Sequence, residues 1–531
     1  MKFKGMLILE FSKPLTEEHN GLIRHVVDEL NNNILVKGAT LPEEAAKVVD
    51  FRIEDGKLVL NLETGRQVRI HSAAMRIKNY VAKIFGSKLK IGVRGLTLKN
   101  TVIELDGEFS VSPKIPLIRK LLVDEGKTYV YLDVMDESVL KKPVLDRLIK
   151  LLNDKEMRAK WKGKAEHWQL IKRSREKEPL FKEDPNKIFE EIGWIKRFSI
   201  GQWIYTPPAI YLINMIKQLF LEEVVKPLGF EEVVFPKIYP PEIGLKTGHL
   251  KGTINSMLFA SLPISYDISA FEELIDYMSV MNEVPQEDLR DYLRPPSYFL
   301  CFAQCEPFYQ FFSGEIVDDR ALPIKWFDQS GPSFRWEAGG LHGVERLIEF
   351  HRIEVVWLGK PEQVVEIRNQ LLERYEHFMD KVLDLEWRWA WVTPWYLEHA
   401  GVIEKISEEI NRPGTIDFEA WLPYKGSRDD AKAWLEIGNI SIHGTKFTDP
   451  FKIKYSKKNV KLWTGCSGFG VERWMLVFIA QKGFDPENWP SKPREYVKKN
   501  PMPKSLLTVT YPKTKEGKEL LKKIVDLYSN P

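Results

Sequence analysis

The residues whose types and spacing could do chemistry are concentrated in Phe327 to Glu354, FDQSGPSFRWEAGGLHGVERLIEFHRIE. Arg335 and Glu337 stand two apart in SFRWE, and after a Gly-containing loop Phe350, Arg352 and Glu354 recur at every second position. In IEFHRIEVVW the alternation puts Ile348, Phe350, Arg352 and Glu354 on one face and Glu349, His351, Ile353 and Val355 on the other, so the spacing predicts strand, loop, strand. Two guanidiniums, an aromatic ring and two carboxylates then project from one hairpin. A planar guanidinium grips phosphate or carboxylate oxygens in a fork, and an aromatic face beside it lets a purine stack, which makes a nucleotide site the functional reading. Taken alone, the segment reads slightly better as a salt-bridged surface hairpin.

Two further segments change that balance. Leu228 to Ile238, LGFEEVVFPKI, carries Gly229, Val233 and Pro236 where an amphipathic helix gives way to a strand. Gly465 to Gly483, GCSGFGVERWMLVFIAQKG, holds Gly468, Gly470 and Arg473 as G-x-G-x-x-R running into an apolar helix. A lone G-x-G is weak, but here glycines permit close backbone approach, a helix N-terminus favours anions, and an Arg one turn in reaches a triphosphate.

In this order the three segments resemble motifs 1, 2 and 3 of class II aminoacyl-tRNA synthetases. Thr247 to Gly252 (TGHLKG), Tyr298 to Phe308 (YFLCFAQCEPF), Ile348 to Glu354 (IEFHRIE), Val392 to Tyr396 (VTPWY), Leu435 to Ser441 (LEIGNIS) and Thr464 to Trp474 (TGCSGFGVERW) are similar to the rare, methanogen-type, zinc-dependent seryl-tRNA synthetases. The resemblance covers nearly the whole chain and is most specific from about residue 193 to 490.

The resemblance implies a ligase that joins serine to its tRNA through a seryl-adenylate, using ATP. It assigns Arg335 to the α-phosphate, Glu337 to the adenine amino group, Phe350 to the ring face and Arg473 to the γ-phosphate end, with Arg335 and Arg473 as the catalytic pair. Glu436 and Asn439, in LEIGN, fall where the family places groups near the Mg²⁺ that bridges the phosphates, and oxygen donors suit Mg²⁺. Cys305, Glu354 and Cys466 match the family's Zn²⁺ ligands, one ion per subunit, with a fourth position open for the serine amino group. Trp395, Asn439 and Ser441 are the matched serine-pocket residues, and a pocket built around a hydroxyl rejects alanine strongly. Motif 1 implies a homodimer with Pro236 near the interface. The residues alone leave other readings: three buried thiols acting as small hydrophobes, or Cys301 as an added ligand, one turn before Cys305 if a helix holds both. His249 and His443 read as structural, as would Trp395 on its own. Trp421 and Gly438 depart from the expected pattern near the amino-acid pocket, and FTDPFKI after His443 echoes the commoner seryl enzymes.

These groups must be positioned by a chain of 531 residues, too long for one core. The fold class expected is α+β: a class II catalytic domain, an antiparallel sheet flanked by helices, with a separate N-terminal mixed α/β tRNA-binding domain. The expected boundaries are 1–165 for the tRNA-binding domain, 166–192 for a linker, 193–490 for the catalytic domain with its zinc site and helical insertions, and 491–531 for a C-terminal extension. Short β-like runs at Met6–Phe11, Lys57–Leu62, Lys90–Arg94 and Tyr129–Val134 alternate with helical patterns at Glu17–Asn31, Ser72–Phe85 and Val139–Asp154. Lys155 to Lys187 reads as a helical linker anchored by Trp161 and Trp168. Ser265–Pro295 reads as a helical insertion, Thr393–Pro413 as a small helical element, and Gly517–Tyr528 as an amphipathic helix.

Between Glu63 and Glu104 there is no acidic residue, while Arg66, Arg69, Arg76, Lys78, Lys83, Lys88, Lys90, Arg94 and Lys99 all fall there. A purely basic window of roughly forty residues is the footprint of a phosphate backbone, whereas a solvated helix face mixes signs. Lys37, Arg69, Arg76, Lys78 and Arg94 are the candidate contacts to serine tRNA; whether selenocysteine tRNA is charged as well stays open. No long helical hairpin is present, unlike the common seryl enzymes. Three cysteines fit a reducing compartment, and no run approaches the ~18 apolar residues of a membrane span, so the cytoplasm is expected. The rival readings are an amino acid ligase loading a carrier protein, for which the basic window has no use, and a catalytically dead RNA-binding paralogue, which would not need Arg335, Arg473 and the three metal ligands.

Overall fold

Val93–Asp106, VRGLTLKNTVIELD, and Lys57–Thr64, KLVLNLET, both carry apolar residues at every second position, and each becomes a strand with one face buried. The computed structural model describes residues 1–109, 115–160, 168–337, 340–392, 411–457, 459–503, 512 and 514–529. It divides into two units, Met1–Ala165 and Glu166–Pro531.

In the first unit an antiparallel sheet runs in the order Ala46–Glu54, Lys57–Thr64, Lys2–Phe11, Val93–Asp106, Lys127–Leu132, Ile118–Asp124, with Met135–Asp136 paired beside Val93–Asp106. The helix Ile70–Leu89 lays Ile70, Ala73, Ile77, Val81 and Phe85 into the core at three- and four-residue spacing. Each such large aliphatic or aromatic side chain contributes about 1.5–3 kcal/mol when fully buried. The helix ends at Lys90, whose left-handed backbone (φ 56°) stops it, so the strand expected from Lys90 begins at Val93 instead. The strands Ala46–Glu54 and Ile118–Asp124 have no counterpart in the pattern reading, because a register shift between Val48 and Asp50 interrupts the alternation of the first and the second is mostly exposed.

In the second unit a nine-stranded sheet runs Glu231–Val233, Ile324–Asp328, Glu349–Gly359, Trp463–Gly470, Trp434–Gly444, Gly414–Trp421, Trp387–Val392, Trp168–Arg173, with Pro332–Phe334 paired to Glu349–Gly359. All neighbours are antiparallel except the first pair. The helices Pro207–Phe220, Pro361–His377 and Val471–Lys482 cover one face, burying Phe220, Tyr375 and Trp474 against Phe469 and Phe418.

The helical linker is corrected here. Val144–Lys160 is a helix of the first unit, and Trp168–Arg173 is an edge strand hydrogen-bonded to Trp387–Val392. Lys172 and Arg173, part of the charge that suggested a solvated helix, decorate a sheet edge, where charge is equally at home. The Ser265–Pro295 stretch holds the helix Glu272–Met281 between two single turns. The C-terminal helix Lys515–Ser529 buries Leu521, Ile524 and Tyr528 in the core of the second unit. No helix among the described residues is long and apolar enough to cross a membrane.

Candidate active site

The strand Glu349–Gly359 lies between Ile324–Asp328 and Trp463–Gly470, and its pleat sorts its side chains. Ile353, Val355 and Trp357 enter the main core, while Phe350 and Arg352 line a cavity on the other face. The same cavity is lined by Arg335, Glu337, Glu436 and Arg473, so it brings together six residues that the sequence spreads from position 335 to position 473. Arg335 directly follows the strand Pro332–Phe334, and its backbone amide donates to Ile348 O at 2.8 Å. Its guanidinium stands 4.8 Å over the Phe302 ring, and its Nε is buried with no partner among the described residues. Burial, with Arg352 close by, pulls the Arg335 pKa below its ordinary value. A buried cation with an unmet donor beside a second cation is a site arranged for an anion.

Arg473 occupies the first turn of the helix Val471–Lys482, which begins directly after Gly470. Its Nε donates to Glu345 O at 2.7 Å and its Nη1 to Glu436 O at 2.8 Å, so two backbone carbonyls fix the plane of the fork. Glu472 is buried and accepts from the His351 amide at 2.8 Å, tying this helix to the strand bearing Phe350. His351 Nδ1 lies 2.8 Å from the same carboxylate, and that hydrogen bond raises the imidazole pKa. Glu337 lies 3.3 Å from Arg346. Phe350 carries the Arg352 guanidinium 5.8 Å above its ring.

A second cavity of about 590 Å³ adjoins the first and shares Arg335, Glu337, Arg352, Glu436 and Asn439 with it. Cys305, Glu354 and Cys466 line it, all buried, with potential ligand atoms within 4.8 Å of one another. Cys305 caps the helix Glu306–Phe311, and Cys466 lies on the strand Trp463–Gly470. Burial raises the Glu354 carboxyl, and contact with Cys305, followed by burial, pushes Cys466 well above the thiol range. Glu354 Oε2 lies 3.3 Å from Arg352 Nε yet has no hydrogen-bond partner among the described residues.

Cys301 stands apart. No helix joins it to Cys305; it is fully buried beside Tyr239, whose hydroxyl donates to Cys301 Sγ at 3.0 Å, and packs with Met257, Phe299 and Phe302. Of the residues expected to form a serine pocket, Asn439 lines both cavities, and Trp395 lies outside the described residues together with most of Thr393–Pro413. Ser441 is buried with its hydroxyl 2.8 Å from Thr415 Oγ1, and Thr415 lines the second cavity. Trp421 is buried at the far end of its strand under the Arg428 guanidinium and lines neither cavity, whereas Gly438 lines the first.

Several polar residues at the site escaped the sequence reading. Asp417 lines the second cavity opposite Asn439 on the neighbouring strand. Glu306, fully buried next to Cys305, lies 2.5 Å from His249 Nδ1 and accepts from Thr247 Oγ1 at 2.7 Å. Buried Glu345 accepts from Tyr424 and Lys425. The available signal was weak: carboxylates inside an otherwise apolar strand (TIDFEAW) or beside a loop Arg (Glu345 before Arg346).

Within the first unit, Arg69 pairs with Asp146, Lys78 lies 2.5 Å from Glu137, and Arg76 donates to Lys37 O at 2.6 Å. Lys37 and Arg94 are exposed and, among the described residues, have no ion pair.

Residues 1–154 match a tRNA-binding domain, and residues 293–482 match the tRNA synthetase class II core domain (G, H, P, S and T). The chain is 42% identical to the type-2 serine–tRNA ligase of Methanococcoides burtonii over 479 residues, 90% of this chain and 94% of the relative. It is 35% identical to that of Methanocaldococcus jannaschii, covering 95% of this chain and 98% of the relative. Among solved structures, that of M. kandleri SerRS in complex with A. aeolicus tRNASec matches with a TM-score of 0.77 at 32% identity, covering 95% of this chain and 99% of that one. With motif 2, motif 3 and the tRNA-binding module accounted for over most of its length, the chain belongs to the type-2 serine–tRNA ligases, a branch of the class II aminoacyl-tRNA synthetases.

Proposed function

We propose that this enzyme joins serine to serine tRNA in two steps. The serine carboxylate attacks the α-phosphorus of ATP, the bond to the bridging oxygen breaks and pyrophosphate leaves; the terminal ribose hydroxyl of tRNA then attacks the acyl carbon and AMP departs. Acid–base work is slight, so positioning and charge neutralisation supply the rate. Arg335 holds the α-phosphate where negative charge grows, Arg473 holds the γ-phosphate, Phe350 stacks the adenine, Glu337 accepts from its amino group, and Glu436 and Asn439 lie near the Mg²⁺ that accompanies ATP.

The observation that carries this reading is the opening of the Arg335–Phe350–Arg473 cavity onto the Cys305–Glu354–Cys466 triad. The triad fits Zn²⁺: two sulfurs and a carboxylate are the right donors, and Glu354 Oε2 is a buried oxygen with an unmet bond. Ligand sulfurs of a tetrahedral zinc stand roughly 3.8 Å apart, given Zn–S bonds of about 2.3 Å, which the triad's spacing allows. When bound, the ion supplies a Lewis-acid position for the neutral α-amino nitrogen of serine. Two thiolates and a carboxylate outweigh its charge, and Arg352 offsets the excess. Thr415, Asp417 and Asn439 line the space where the serine hydroxyl is read, with Trp395 and Ser441 as the sequence-matched partners.

The domain at 1–165 engages tRNA through its basic window and Lys37, with Lys37 and Arg94 as the candidate contacts that stand exposed without an ion pair among the described residues; Arg69, Arg76 and Lys78 contribute through the surface they organise. The active form is a homodimer with Pro236 near the interface, working in the cytoplasm, and 193–490 carries the chemistry. Retention of the tRNA-binding module sets this reading above carrier-protein loading.

The test is serine-dependent exchange of pyrophosphate into ATP, with alanine, threonine, glycine and cysteine alongside, before and after metal stripping. Exchange with serine alone, lost with the metal and restored by zinc, is expected. Exchange with glycine or alanine instead points to carrier loading, and exchange with none points to an RNA-binding role.

A further inference from the structure

Two residues of the triad have an outer partner. Arg352 Nε lies 3.3 Å from Glu354 Oε2. The second partner is a histidine that the two-step chemistry leaves unused. Cys466 Sγ lies 3.5 Å from His443 Nε2, and His443 Nδ1 lies 3.0 Å from Thr464 Oγ1.

The backbone is built to aim this ring. His443 sits on the strand Trp434–Gly444 where the ladder to Trp463–Gly470 slips: Ile442 faces Gly465 and Gly444 faces Thr464, so His443 is the extra residue of a bulge. Bulges redirect a side chain out of the regular alternation. The ring is then held edge-on against Phe447 (centroids 4.7 Å apart, 67°) and Tyr309 (6.1 Å, 87°), and is 3% exposed.

We propose that His443 is a positioning residue that donates an Nε2–H hydrogen bond to the Cys466 thiolate, setting that sulfur's orientation and the metal affinity of the triad. A metal-bound thiolate has no proton, so the hydrogen in the His443–Cys466 contact comes from the imidazole. The tautomer protonated at Nε2 leaves Nδ1 as an acceptor, and the Thr464 hydroxyl at 3.0 Å, with the Tyr309 hydroxyl farther off at 3.5 Å, is placed to donate to it. Metal loading thus selects one tautomer and locks the ring. A hydrogen bond to sulfur also withdraws electron density from a ligand set whose negative charge exceeds that of the ion. The proposal rests on the zinc reading above.

The experiment uses the full chain and two readouts besides catalysis: the zinc dissociation constant, from competition with a chromophoric chelator, and the sulfur-to-metal charge-transfer band of the cobalt(II)-substituted protein. For His443→Ala the dissociation constant is expected to rise about 10–100-fold, the usual cost of losing such an outer partner, with the band moving to lower energy. His443→Gln, whose amide can donate to the sulfur, recovers part of both. Thr464→Val keeps the ring and the volume but removes the nearer donor to Nδ1, giving a smaller change in the same direction; it carries the test if His443→Ala does not fold. Wild-type affinity and an unmoved band in His443→Ala, or in Thr464→Val where only that variant folds, overturn the role of His443 while leaving the zinc reading intact. A wild-type chain that takes up no zinc overturns both.

Discussion

A single methyl group added at Gly438 should pull apart the two strands that join the two cavities. Gly438 faces Phe469 in the ladder between Trp434–Gly444 and Trp463–Gly470, and a Cβ built there would lie 2.5 Å from Gly468 O. A relaxed carbon–oxygen contact needs about 3.3 Å, so the backbones must separate by roughly 0.8 Å (3.3 − 2.5). Both partners are main chain and cannot rotate away. Overpacking of this kind costs about 1–3 kcal/mol, and the melting temperature should fall by roughly 1–4 °C. Glu436 and Asn439 flank Gly438, so the KM for ATP in serine-dependent exchange should rise with the loss of stability. Gly468→Ala is the control within the same ladder: its Cβ would come no closer than 3.5 Å, to Glu354 Oε2, an ordinary contact. That variant should melt like wild type while losing activity, because the methyl group occupies the first cavity. Calorimetry and exchange kinetics on both separate the two effects; a Gly438→Ala protein with wild-type melting and KM refutes the close approach, and equal destabilisation by both refutes the geometric distinction.

Replacing Cys305 or Cys466 with Ser should abolish zinc binding, measured by elemental analysis, whereas Cys301→Ser should leave zinc content unchanged; loss of metal in the latter contradicts the assignment. The His351–Glu472 pair should make stability depend on pH. The hydrogen bond raises the folded His351 pKa, so its contribution is complete below the unfolded value of about 6.5 and is lost as pH rises through the folded value. Melting curves from about pH 5.5 to 8.5 should therefore fall more steeply for wild type than for His351→Asn, and parallel curves count against the pair. Reversing the exposed charges with Lys37→Glu and Arg94→Glu should weaken tRNA binding and flatten its salt dependence without altering pyrophosphate exchange; unchanged binding removes these two residues from the tRNA surface.

What the sequence determined by itself was whatever short-range pattern encodes. The period-two run falls in the strand Glu349–Gly359 because alternation sends Ile353 and Val355 to the core and Phe350 and Arg352 to the cavity, and GFGVERW runs from strand to helix because Gly470 ends the one and the apolar run from Val471 sustains the other. The order of the three motifs was likewise enough to identify the class. Pattern misled where charge stood in for structure: Trp168–Arg173 is an edge strand because Trp387–Val392, over 200 residues away, offers it hydrogen bonds. Only the tertiary structure brought Cys305, Glu354 and Cys466 to one place and left Cys301 out, since their proximity depends on which strands neighbour each other. It also decided that Gly438 is a packing requirement, that Trp421 lies away from the pocket, and that Arg69 and Lys78 are tied to carboxylates of their own unit. The physical reason is the same in each case: local spacing fixes which face a side chain occupies, but what that face meets is set by long-range strand pairing and burial.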